Sequence, residues 1–420
     1  MKKNVLWISN IPTKAFSKVL KSDFNGLWIE TLIPFFEKTN DFNLMIVTIG
    51  TTSKPILFEQ NGIKYCLLPG NSSFKYNKTY KDSIKDWEFV YNNFPPDLLF
   101  LWGSECIPSV YAVRFFKTKN IPIALFVQGI LNSINRHKNG KISFFDKIMS
   151  FSIRDLIKFD FWPFNTFSSI KSINNERYIF NNCNSFFIEN NWARDEINKI
   201  INYKIKDFYF IELPINEIFF LKHNNRPLSN TKYLKLLSLS INTPLKGCHV
   251  VIKAAKLLKD KGIDFKISFT GRNPFHVPFY KTTWYQNYIK RIIKENGLMS
   301  QINFLGTLNQ IDYAKELMNS NYFISASFCE NHSSSVKEAI AVGKPVLSTN
   351  VGGISQYFVS GYNGLFFHTN DEYDLTKKII SFINENYPSK SNKINISKSP
   401  FYNEIIFEKM VDYYNKILKK

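Results

Sequence analysis

The segment Ser325 to Gly353, SASFCENHSSSVKEAIAVGKPVLSTNVGG, places two carboxylates, Glu330 and Glu338, on either side of three consecutive serines, Ser333, Ser334 and Ser335. Its pattern runs strand, loop, helix, turn, strand, so Glu330 falls in the loop past a strand end and Glu338 in the first turns of the following helix. The first N–H groups of a helix have no partner within it, and together with serine hydroxyls and the helix dipole they make an anion site. A diphosphate fits that description. A carboxylate in the second turn can accept two hydrogen bonds from a ribose diol, and one in the preceding loop can orient sugar hydroxyls. His332, beside them, reads either as a phosphate donor or as an exposed loop histidine. Ser335-x-x-Glu338 also matches a capping box, in which the glutamate merely satisfies a backbone N–H. These residues alone leave both readings open.

Other strand ends carry polar groups. Lys246-Gly247 opens a helix after a strand; a lysine there opposes the helix dipole, which an anionic ligand would explain and an ordinary solvated lysine would not need to. Gln128-Gly129 follows the run Ile121 to Val127, and a glutamine there can hydrogen-bond but not titrate. In Trp102-Gly103-Ser104-Glu105, Glu105 either lines an acceptor side or is an acid favoured at a helix start. Gly26, in Asn25-Gly26-Leu27, permits close backbone approach to a ligand or simply starts a helix. Gly271-Arg272-Asn273 is not a G-x-G-x-x-G, and there is no G-x-x-x-x-G-K-[ST], so hydride transfer with a dinucleotide and NTPase chemistry are disfavoured. No D-x-D pair and no metal-ligand spacing occurs, so the expected site uses positive charge and a helix end in place of a divalent ion. Five cysteines, with no C-x-x-C, read as free and mostly buried thiols.

These groups need a scaffold. With 420 residues, two domains are expected, and 44% hydrophobic residues exclude a disordered or fibrous chain. Strand candidates Val5 to Ser9, Leu44 to Gly50, Asp97 to Gly103, Ile121 to Val127 and Ser185 to Glu189 alternate with helix-like stretches. The pattern lapses over 212–231, then restarts with Leu234 to Ser240, Phe265 to Gly271, Ile302 to Gly306, Tyr322 to Ser327 and Pro345 to Thr349. Strand–helix alternation predicts an α/β chain of two Rossmann-like domains, whose ligands sit beyond the carboxyl ends of parallel strands. The expected boundaries are 1–211 for the first domain, 212–231 for a linker, 232–400 for the second domain, and 401–420 for a C-terminal helix packing back on the first. Residues 143–170, crowded with Phe, Trp162, Pro163, Lys and Arg154, read as an insertion in the first domain. That insertion is either a packed helical element or an amphipathic surface facing an acceptor or a membrane.

The Ser325 to Gly353 segment resembles the C-terminal signature of the family-4 retaining glycosyltransferases of GT-B type. The matching residues are Glu330 and Glu338 in E-x7-E spacing, Ala339, Gly343, Lys344, Pro345, Val346, Gly352, Gly353 and Asn363-Gly364. The resemblance implies a GT-B fold, two Rossmann-like domains facing across a donor/acceptor cleft. It implies that Glu330 contacts the donor sugar, Glu338 the ribose, and Lys246 the diphosphate. Glu330, Lys246 and Gln128 then form the catalytic set, with Gln128 where many members have a histidine. The donor-binding set is Glu338, Gly26, Ser240, Gly271, Gly306, His332, Ser333, Ser334 and Ser335. The family's usual arginine six residues before the lysine is here Ser240, which removes a bidentate contact to the diphosphate.

The implied activity is transfer of a hexose-type sugar from a nucleoside diphosphate donor, a UDP-sugar favoured, to a glycan or lipid-linked hydroxyl, with no cofactor and no metal. A nucleotide-sugar epimerase on the same fold and a non-catalytic sugar- or polyanion-binding protein are the rivals. The net charge of +20 fits an anionic surface as well as composition bias, and the expected partner is the anionic inner face of a membrane, not nucleic acid. With no run of ~20 apolar residues, the chain is expected to be cytoplasmic, peripheral at that membrane.

Overall fold

Strand β1 (Lys3–Ser9) shows how the first half is built. Leu6 and Ile8 enter one core with Met45, Val47, Leu99 and Leu101, whereas Val5 and Trp7 enter another with Leu44, Ile46, Leu98 and Phe100. Side chains alternate across a strand, so a strand apolar on both faces must lie in a sheet covered on both sides.

The computed structural model describes residues 2–22, 28–72, 76–157, 164–201, 206–220, 233–384 and 402–420. The chain divides into two compact units. The first comprises Met1–Leu131, Ile170–Ile215 and Ser397–Lys420. Its sheet adds β2 (Phe42–Gly50), β3 (Ile56–Gln60), β4 (Ile63–Pro69), β5 (Leu98–Trp102), β6 (Ile123–Phe126), β7 (Ser185–Ile188) and β8 (Asp207–Phe210). The strand order is β3-β4-β2-β1-β5-β6-β7-β8, parallel except for the β3–β4 hairpin. Helix Asn403–Leu418 packs Ile406, Met410, Tyr414 and Ile417 into one face of this unit, where Trp7 Nε1 donates to the Tyr414 hydroxyl at 3.1 Å.

The second unit comprises Asn132–Ser169 and Asn216–Ile396. Its strands are β9 (Leu234–Ser238), β10 (Phe265–Phe269), β11 (Ile302–Phe304), β12 (Tyr322–Ser325), β13 (Val346–Thr349) and β14 (Gly364–Phe367). They lie in the order β11-β10-β9-β12-β13-β14, every neighbouring pair parallel. The chain leaves β9 for β10 on one side and returns to its other side as β12. The carboxyl ends of β9 and β12 therefore flank the topological switch point, where doubly wound sheets bind ligands.

Two features depart from the sequence reading. Strands β3, β4, β8 and β14 were not among the expected ones, although the Asn61-Gly62 dipeptide that turns β3 into β4 is a hairpin signal. Residues 132–169 group with the second unit, not the first. The cause is a set of anchors on helix Trp284–Glu295 and its surroundings. Ile142 enters the second unit's core, Arg291 donates to Asp146 at 2.5 Å, the Trp284 N–H donates to Asp155 at 2.5 Å, and Asn287 donates to the Phe151 carbonyl at 3.0 Å. Buried His249 adds another anchor: its Nε2 donates to the Gly140 carbonyl at 3.0 Å. Burial pushes that imidazole down to about 3, so it is neutral at physiological pH.

Candidate functional site

Two loops meet at the switch point of the second unit. After β9 the chain passes Ser240 and makes a short turn, Pro244–Lys246, before helix Cys248–Asp260. After β12 it runs through Ala326 to Glu330 and reaches helix Ser334–Ala341. Gly247 joins them. It sits at φ +68°, and a Cβ there would lie 1.9 Å from the Ala326 carbonyl oxygen, so only glycine lets the two backbones approach this closely. The Phe328 N–H donates to the Leu245 carbonyl at 2.8 Å across the same contact.

That approach brings Lys246 Nζ to Glu330 Oε1 at 2.5 Å. Ser327 Oγ donates to the same oxygen at 2.6 Å. Glu330 is buried and Lys246 partly exposed, so the carboxylate is positioned from within while the ammonium reaches the surface of the loop. From the far side, Gly352 at φ +59° backs against Glu330, whose carbonyl oxygen would be 1.6 Å from an added Cβ. The Gly353 N–H donates to the Asn331 carbonyl at 3.2 Å. The loop carrying Glu330 is thus held between two close backbone contacts.

Helix Ser334–Ala341 has Ser333 as its N-cap, and no side chain there makes a cap hydrogen bond. Ser335 and Glu338 therefore lie inside the helix, and the capping-box alternative does not hold: Glu338 is two positions beyond the N3 place such a box requires. The first turn contains no acid, so the positive end of the helix dipole is not offset from within. Ser333 is buried, Ser334 exposed and Ser335 half-buried. His332 is buried with its ring edge-on to Tyr357, centroids 4.2 Å apart. Burial raises the Glu338 carboxyl to about 7 against the opposing pull of Lys337. The hydroxyl of Tyr313, in helix Gln310–Asn319, is hydrogen-bonded to Ser335, and its pKa is held well above the usual value by burial and by Glu338.

The remaining residues of the expected donor-binding set in this unit also lie at carboxyl ends of this sheet. Gly271 follows β10 and Gly306 follows β11, and the Gly271 N–H donates to the Gly306 carbonyl at 2.8 Å. Ser240 is half-buried, and its Oγ accepts from the Asn242 N–H at 3.4 Å. An added Cβ on Gly271 would lie 2.9 Å from that hydroxyl, so Ser240 and Gly271 are neighbours. Lys246, Glu330, Glu338, Ser240, Gly271, Gly306, His332 and the three serines are thus gathered in one unit, at one end of one sheet.

Gln128 belongs to the first unit, half-buried just past β6. Gly26 lies outside the described residues. Glu105, past β5, is not a cap of helix Ile107–Lys117: its carboxylate accepts from the Gly129 N–H beside Gln128 and from backbone N–H groups of its own loop, with Asn10 Nδ2 at 3.4 Å. Burial nevertheless raises it to about 7. β1 and β5 flank this unit's own switch point, so Glu105 ties together three strand-end loops there. Ser327 and Tyr313 were missed by sequence reading; a lone serine three residues before Glu330 and a tyrosine inside a helix carry no spacing signal.

Residues 220–398 match the model of the family "Glycosyl transferases group 1". An uncharacterised glycosyltransferase of Methanocaldococcus jannaschii is 30% identical over 141 residues, 34% of this chain and 36% of that protein. WcaL of Salmonella typhimurium, named for colanic acid biosynthesis, is 26% identical over 155 residues, 36% of each chain. The matches thus span about a third of the length of these relatives. Over nearly the whole chain, the structure of Anabaena HepE in complex with UDP-glucose superposes with a TM-score of 0.67 at 12% identity, covering 98% of this chain and 99% of that one. The chain has the GT-B fold, and its residues 220–398 resemble the glycosyl transferases group 1 family.

Proposed function

We propose that this chain is a retaining glycosyltransferase that moves a hexose-type sugar from a nucleoside diphosphate donor, a UDP-sugar favoured, to a hydroxyl of a glycan or lipid-linked acceptor. The observation that carries this reading is the Lys246–Glu330 pair at the β9/β12 switch point, directly before a helix N-terminus without a side-chain cap. An ammonium has three donors and Glu330 takes one, so Lys246 can turn others toward a diphosphate. As the glycosidic C–O bond breaks, the electron pair leaves with the diphosphate, and Lys246 with the helix N-terminus stabilises that charge. Glu330, fixed by Ser327 and Lys246, accepts from hydroxyls of the transferred sugar. Glu338 accepts from the ribose diol.

No divalent ion enters this scheme, and the acceptor attacks without a protein nucleophile. The UDP-glucose held by HepE and the colanic acid association of WcaL support the donor class and a polysaccharide setting. The test is calorimetric binding of UDP-, GDP- and ADP-sugars, followed by transfer assays with and without EDTA. Selective binding of one nucleotide with EDTA-resistant transfer is expected. An epimerised nucleotide sugar formed from donor alone would favour the epimerase instead, and full transfer by Glu330→Ala would sink the site assignment.

A further inference from the structure

Helices Phe144–Met149 and Ile153–Ile157 turn their apolar sides outward. Phe144 and Phe145 are each 69% exposed and Ile157 67%, with Ile148, Met149, Ile153 and Leu156 all about half exposed or more. In each helix these residues share a face at helical spacing, while the opposite face holds the acid: Asp146 accepts from Arg291 and from Ser143, and Asp155 accepts from the Trp284 N–H and from Arg154. An amphipathic helix in a globular protein normally buries its apolar stripe and shows its charges to water. Here the polarity is inverted, and the carboxylates serve as anchors. The turn Phe279–Lys281 packs against helix Ile153–Ile157 and extends the surface with Phe279, 71% exposed, and exposed Tyr280.

We propose that this face, residues 144–157 with Phe279 and Tyr280, docks the chain on an anionic lipid bilayer. Charge selects that occupant. Asp146 pairs with Arg291 and Asp155 with Arg154, so, among the described residues, the cations that border these helices and the turn along the chain are Lys141, Lys147 and Lys281. Exposed aromatics interleaved with lysines suit the level of lipid headgroups, where rings enter the acyl boundary and ammonium groups meet phosphates. A cation near an anionic surface strengthens attachment by roughly fivefold. The chain's net charge of +20 acts in the same direction. Two short helices bearing seven outward apolar residues would insert only to interface depth; no described helix is long and apolar enough to cross a membrane.

This proposal does not rest on the transferase reading, because it is tested with neither donor nor acceptor present. The full-length chain is sedimented with vesicles of phosphatidylcholine alone and of phosphatidylcholine with phosphatidylglycerol. Binding to the anionic vesicles, weakened by salt, is expected. Phe144→Ser with Phe145→Ser should lower it by about tenfold or more, and Lys141→Glu with Lys281→Glu should lower it by a comparable factor. Hydrogen exchange of the unmodified protein gives a readout that needs no substitution: anionic vesicles should protect 144–157. Absence of binding, equal binding to neutral vesicles, or protection only elsewhere overturns the proposal. So does a soluble dimer that the phenylalanine substitutions convert to monomer, since the face would then cover a second copy of the chain.

Discussion

Replacing Gly247 with alanine tests whether the close approach of the β9 and β12 loops sets the site. Two costs can be separated. The residue sits at φ +68°, where a Cβ alone costs about 1–2 kcal/mol. The new methyl would also lie 1.9 Å from the Ala326 carbonyl oxygen, so backbone on one side must retreat by roughly an ångström to reach an ordinary contact, an overpacking that typically costs about 1–3 kcal/mol. Gly262→Ala supplies the control, because Gly262 has φ +71° with open space where its Cβ would go and bears only the first cost. The expected losses are about 2–5 kcal/mol for Gly247→Ala and about 1–2 kcal/mol for Gly262→Ala. At roughly 2–4 °C per kcal/mol, the two melting temperatures should separate clearly. The retreat also carries Lys246 away from Glu330, and a displacement of about 1 Å at reacting groups can lower turnover on the order of a hundredfold. Urea unfolding monitored by circular dichroism and donor binding by calorimetry measure both effects. Equal stability of the two variants, or unchanged donor affinity in Gly247→Ala, would refute the reasoning.

Lys246→Met and Glu330→Ala should each lower kcat by about a hundredfold to a thousandfold, and the double variant should lose much less than the product of the two, since each group orients the other; steady-state kinetics decide. Glu338, raised to about 7, changes from mostly protonated to mostly ionised between about pH 6 and pH 8. A UDP-sugar should therefore bind more tightly as pH rises through 7, and Glu338→Gln should flatten that profile in calorimetry. The same shift has the opposite sign for stability: the folded state holds the extra proton, so the contribution of Glu338 falls as pH rises from its ordinary value through 7. Ser240→Arg, placing a guanidinium beside Gly271, should tighten donor binding by about tenfold if the diphosphate lies there, and a weaker or unchanged Kd would put the phosphates elsewhere.

Much of the architecture was legible in the sequence because the periodic runs are long and apolar. The strands that lead to Lys246 and Glu330 were readable for that reason, as was the helix beyond Glu330. Strand β14 was not, since Gly364–Phe367 begins on the Asn363-Gly364 pair, which reads as a turn. The placement of 132–169 with the second unit was also hidden, and its spaced apolar faces left a packed element and an outward amphipathic surface both open. Only the pairing of Asp146 with Arg291 and of Asp155 with the Trp284 N–H, each spanning well over a hundred residues, turns those faces outward.

The sequence by itself determined which groups stand at which strand ends. A parallel sheet delivers every strand's carboxyl end to one edge, and side-chain chemistry is local. Tertiary structure alone decided what those groups do to one another. Glu338 could be a cap or a site carboxylate until the helix was seen to start at Ser334, a matter of one turn's register. Lys246 and Glu330, 84 positions apart, meet because two backbones touch at Gly247, and the proton affinity of Glu338 depends on how far folding removes it from water. Distances and burial are properties of the packed chain, and no spacing along the sequence contains them.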